Sequence, residues 1–149
     1  MGESEAMVTA GMILFVAAAV GGSAYMLISG IAAYRGTWRT WAGQRSVYQF
    51  GKQNYLGFFG LYLQPVIIVA VLLSLVTILG AEWVTDWVLV LTITPLFMVA
   101  FACCFRLPRI MLPAWYKDWL DRGADKDEVL KPEYSSPFTW LRRSRDVRR

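Results

Sequence analysis

The sequence contains no histidine, and that absence removes a large block of chemistry. The commonest metal ligand and physiological-pH switch is missing. So are the usual axial ligand of haem and every catalytic triad that takes its base from an imidazole. Cysteine is scarce as well: Cys103 and Cys104 are the only thiols in 149 residues. Two adjacent cysteines cannot supply the four ligands of a structural zinc site, and a disulfide between neighbours is strained. No glycine loop of the P-loop or dinucleotide type occurs. The expectation is a non-catalytic protein with no cofactor, no metal site and no catalytic residue.

Charge is the second scarcity. Residues 7–34, 53–81 and 87–105 contain no Asp, Glu, Lys or Arg. A helix needs about 20 apolar residues to cross the roughly 30 Å hydrocarbon slab, and each stretch provides them. The expected fold is an all-α membrane protein with three transmembrane helices, at about 7–34, 57–80 and 87–106. No carboxylate lies inside a span, so an intramembrane proton relay has no carrier. The first stretch does not read as a cleavable signal peptide, which has a basic n-region and a short apolar run. Here the flank holds Glu3 and Glu5, and the run is about twice too long.

The charge that is present is one-sided. All 15 Lys and Arg fall within residues 35–52 and 106–149. The remaining exposed pieces, 1–6 and 82–86, hold only Glu3, Glu5, Glu82 and Asp86. By the positive-inside rule the N-terminus is expected outside and the C-terminus in the cytoplasm of a plasma (inner) membrane. Anionic lipid accounts for the net charge of +4, and no nucleic-acid partner is expected. Residues 1–112 are expected to form the membrane domain. Residues 113–149 are expected to form a basic cytoplasmic tail, a short interfacial helix followed by flexible chain.

Tryptophan is plentiful, with seven residues. Trp83 and Trp87 fall at the expected outer interface, Trp38, Trp41, Trp115 and Trp119 at the inner one, and Trp140 in the tail. None lies in an expected hydrocarbon core, which is the distribution of an aromatic belt. The first six are therefore candidate membrane anchors. Residues 35–56 alternate aromatic and basic side chains, so this stretch is expected to lie on the inner surface as a helix broken near Gly51. Its periodicity is imperfect, because Arg45 shares a stripe with Trp38 and Trp41. Residues 114–122 suggest a short helix with Trp115 and Trp119 one turn apart and Lys117, Asp118 and Asp121 on its polar side. Beyond residue 123 apolar side chains are too sparse for a core.

Two features of the spans bear on function. Ala18, Gly22 and Gly30 share a stripe of the first span, with Met26 between them, and Ala17 with Gly21 makes a neighbouring pair. Small residues at this spacing let helix backbones approach closely in lipid. They serve either an interface with another protein or copy, or internal contacts with the other two spans. Pro65 and Pro95 interrupt the second and third spans, beside Gln64 and near Thr92 and Thr94. These three polar residues are the candidate lining of a conduit; otherwise they belong to static kinks, with Gln64 bonding another helix. Cys103 and Cys104 are juxtamembrane, open to S-acylation or to simple packing.

The function expected is an accessory, assembly or scaffolding subunit of a larger membrane complex, with lipids and another membrane protein or further copies of itself as partners. Over its whole length the layout also resembles that of three-span phage holins, without a residue motif. That resemblance implies a homo-oligomeric pore. A small transporter or sensor-regulator subunit is the remaining alternative.

Overall fold

The computed structural model describes residues 3–48, 50–79 and 86–139, and among these it is helical with no strand. Three long helices, α1 (Glu3–Arg35), α3 (Phe59–Ile78) and α4 (Asp86–Ala102), occupy the charge-free stretches. The short helices α2 (Thr40–Gly43), α5 (Ala114–Asp121) and α6 (Lys126–Val129) lie in the two basic segments. The segments Met7–Arg35 and Leu56–Thr77 are long and apolar enough to cross a membrane, and the apolar Trp87–Ala102 is shorter. Pro65 and Pro95 lie within α3 and α4, and each helix continues through its proline.

The third long helix ends earlier than expected, at Ala102. There the chain tightens into successive three-residue turns, Cys103 N–H to Ala100 O at 3.1 Å, Cys104 to Phe101 at 2.9 Å and Phe105 to Ala102 at 3.0 Å. Pro108 then disfavours helical geometry at Leu107, the residue before it. α1 stops at Gly36, which takes a φ of +75°. The N–H of Gly36 bonds Ala33 O and that of Thr37 bonds Ala32 O, a left-handed cap that glycine adopts without a Cβ penalty.

α1 packs on α3 and α3 on α4. The α1–α3 crossing depends on two glycines. A Cβ on Gly30 would overlap the Leu61 backbone nitrogen, and one on Gly60 would overlap the Met26 carbonyl oxygen. Backbone therefore lies against backbone, the arrangement through which packing stabilises helix pairs in lipid.

Where α1 ends and α3 begins, both basic segments fold together into a compact cap. Trp41, Phe58, Leu107, Tyr116, Trp119 and Val129 are all buried in one cluster with Cys103. Burying a side chain of the size of Phe58 or Leu107 contributes about 1.5–3 kcal/mol. The Trp41 and Tyr116 rings stack with centroids 5.8 Å apart, and Phe58 meets both edge-on at 4.9 and 5.3 Å. Such aromatic pairs add to the area they bury.

Polar groups inside the cap are paired. Asn54 is only 4% exposed. Its amide donates to Trp41 O at 2.6 Å and Gln44 O at 2.9 Å, and its side-chain oxygen accepts from Leu56 N–H at 3.0 Å. Its backbone carbonyl accepts the Tyr116 hydroxyl at 2.6 Å. Burial pushes the Tyr116 phenol well above its ordinary pKa, with Tyr55 beside it adding to the rise.

Two expectations are corrected here. Residues 35–56 form no long surface helix: only Thr40–Gly43 is helical before the turn at Leu56–Phe58. The broken stripe is the reason, since Trp41 turns inward against Phe58 and Tyr116 while Arg45 points to solvent. Residues 123–139 are not a polar extension either. Val129 is part of the cluster, Tyr134 O accepts from Arg39 N–H at 3.2 Å, and the Thr139 hydroxyl donates to Thr37 O at 3.2 Å.

Candidate interaction site

α1 has two unlike halves. From Ser23 to its end it is held by α3 and the cap. The Gln64 amide donates to Ser23 O at 3.0 Å, and the Ser23 hydroxyl donates to the Gln64 side-chain oxygen at 3.3 Å. Lower down, the Trp115 indole donates to Ala33 O and Tyr34 O, each at 3.1 Å. By contrast, every residue from 7 to 22 is exposed. A Cβ on Gly11, Gly21 or Gly22 would meet no atom within 4 Å. Ala17, Ala18, Gly21 and Gly22 therefore lie in the bare half, and Gly30 alone of the five candidate packing residues lies in the helix crossing.

The stripe itself is continuous. Gly30 and the Met26 carbonyl grip α3, and one and two turns further along the same stripe Gly22 and Ala18 are uncovered. The uncovered part of the stripe begins beside Ser23, whose partner Gln64 directly precedes Pro65 in α3. A proline removes one helical hydrogen bond and crowds the carbonyl four residues earlier, here Leu61. That is also the residue against which Gly30 packs.

The three candidate conduit residues are not brought together. Gln64 is 8% exposed and bonded to α1 at both ends of its amide. Thr92 is exposed, and its hydroxyl returns to Val88 O at 2.7 Å on its own helix. Thr94 is exposed on α4. Hydroxyls of this kind satisfy carbonyls within their own helix.

The candidate anchors divide as well. Trp87 is exposed at the start of α4. Trp41 and Trp119 are buried inside the cap instead of lying at its surface. Trp38 and Trp115 are half-buried against the same cluster. Trp83 and Trp140 lie outside the described residues. Cys103, a candidate for acylation, is buried in the cluster, and Cys104 is partly covered.

Several residues that organise the site escaped sequence reasoning. Gly60 and Ser23 complete the α1–α3 contact, and Gly60 stood in the sequence four residues before Gln64. Arg39 is held against the rings of Trp115 and Tyr134 at 4.9 and 4.5 Å while its Nε donates to Gly36 O at 2.7 Å. Cation–π contacts of this kind contribute about 0.5–1 kcal/mol at exposed sites. The chain matches no family model, no curated protein and no solved structure.

Proposed function

We propose that the protein is a non-catalytic, multi-pass subunit of a plasma-membrane complex, which presents the bare half of α1 to another membrane protein as an accessory, assembly or scaffolding partner. The observation that carries this reading is the stripe of α1 that grips α3 at Gly30 and continues uncovered through Gly22 and Ala18. Lipid chains are as apolar as leucine, so an isolated helix in a bilayer gains little from hydrophobicity. Small residues gain from the close approach of a second backbone. The charge pattern supports an orientation with the N-terminus outside and the cap in the cytoplasm. On that reading residues 7–24 of α1 cross about 27 Å of hydrocarbon at 1.5 Å per residue. The bare half is then the part of α1 in the bilayer, and the cap stands at its inner face.

Gentle solubilisation of a tagged copy from its native membrane, with mass determination of what accompanies it, tests the proposal. A different protein in stoichiometric amount is the expected result. A discrete oligomer of this chain alone would replace the reading with a pore former, and a bare monomer would remove it.

A further inference from the structure

A cleft of about 440 Å³ opens on the cap between the loop at 50–53, the segment 105–112 and Leu120 of α5. Its charged lining has one sign, with Lys52, Arg106 and Arg109 and no carboxylate. Arg109 is ion-paired with Asp121, which holds it at the rim and offsets part of its charge. Among the described residues no carboxylate lies within ion-pair distance of Lys52 or Arg106. Tyr55 lines the same cleft, where burial raises its pKa and the fields of Arg106 and Arg109 pull it back.

The wall of the cleft is joined to the end of α4. Phe50 N–H donates to Cys104 O at 2.9 Å, and Gly51 approaches Phe105 so closely that a Cβ would overlap the Phe105 carbonyl. A track of rings leads in from the helix. Phe97 and Phe101 lie 6.3 Å apart, Phe101 and Phe105 5.3 Å, and Phe105 and Phe50 5.2 Å. All four rings are exposed. A four-residue spacing keeps Phe97 and Phe101 on one face of α4. An apolar track that begins on an expected span thus ends at a cluster of cations. A small soluble anion would use the cations and leave the track idle, whereas an anionic amphiphile uses both.

We infer that this cleft holds the phosphate headgroup of an anionic membrane phospholipid at Lys52 and Arg106, with Arg109 at its rim and an acyl chain along Phe105, Phe101 and Phe97. The site rests on α4 lying in a bilayer and is independent of what α1 docks against. Charge-assisted bonds from guanidinium to phosphate fix the headgroup, and each basic residue near an anionic surface contributes a several-fold gain in affinity.

Native mass spectrometry of the detergent-purified protein titrated with phosphatidylglycerol provides the test. One lipid is expected to bind, about thirtyfold more weakly to the double variant K52Q/R106Q and with unchanged affinity to R45Q/K117Q, which removes the same charge outside the cleft. F101A is expected to weaken the lipid while leaving the fold intact. Equal loss in both charge pairs would show diffuse attraction and overturn the site, as would undiminished binding by K52Q/R106Q. Displacement of the lipid by millimolar inorganic phosphate would reassign the cleft to a soluble anion. Carbonate extraction separates the two readings. Release of the protein from membranes overturns its membrane placement, whereas a retained protein that binds no phosphatidylglycerol overturns this inference alone.

Discussion

The cap and the bare half of α1 are built on opposite terms. In the cap, aromatic side chains from segments about 60–80 positions apart in the chain interlock, and Asn54 pairs every polar atom of its amide. In the bare half of α1, sixteen consecutive residues, 7–22, are exposed on every side. A structure that consisted only of the cap would explain itself by burial. The bare half does not, and its meaning lies in what surrounds it. Between the two is a short crossing, Gly30 on Leu61 and Gly60 on Met26, where the packing of the first region runs out into the second.

If the cap is the rigid part, breaking its polar centre has the largest effect. Asn54→Ala leaves the Gln44 carbonyl and the Leu56 N–H unpaired and the Trp41 carbonyl with only its bond from Gln44 N–H, and is expected to cost about 3 kcal/mol. The check is thermal unfolding in detergent followed by tryptophan emission, since Trp41, Trp115 and Trp119 all report on the cap. Gly60→Leu drives a side chain into the Met26 carbonyl, an overpacking expected to cost about 2 kcal/mol. Its readout is cross-linking between cysteines placed at Ser23 and Gln64 in a Cys103→Ala, Cys104→Ala background, which falls as the helices separate.

Alkaline pH sharpens the same comparison without a mutation. Burial holds Tyr116 protonated in the folded cap above its ordinary value of 10.0, while the unfolded chain ionises there. The unfolded state therefore binds fewer protons above pH 10, and stability falls as pH rises, by up to about 1.4 kcal/mol per unit. Tyr116→Phe is expected to flatten this slope, at the cost of the hydroxyl bond to Asn54. The smallest effect is expected in the bare half. Gly22→Leu meets no atom of the described chain and should leave the unfolding temperature unchanged, while lowering recovery of any partner about tenfold in pull-down from native membranes.

How much of this was legible follows from the range of the interactions. The three long helices were readable because absence of charge is a local property, and so was the small-residue stripe of α1. The cap was not. Its two halves are separated by α3 and α4, and each taken singly has too few apolar residues for a core. Trp41 and Trp119 therefore read as anchors for a membrane, when Trp41 stacks on Tyr116 of the other segment and Trp119 is buried in the same cluster. A clue lay in Asn54, a polar residue set between aromatic runs, but its bonds to Trp41, Gln44 and Tyr116 depend on the fold. The candidate site was half visible. Gly30, Gly22 and Ala18 stood out by spacing, whereas the division of their stripe into a gripped half and a bare half depends on which part of it α3 covers in the fold.

The central claim is that the bare stripe of α1 is covered by another protein in the native membrane. Photo-cross-linking residues introduced at Ala18 and Gly22 and activated in intact cells test it directly. The account predicts one product of defined mass, carrying a second, different protein, from both positions. Adducts with lipid alone, or with nothing but further copies of this chain, would contradict it.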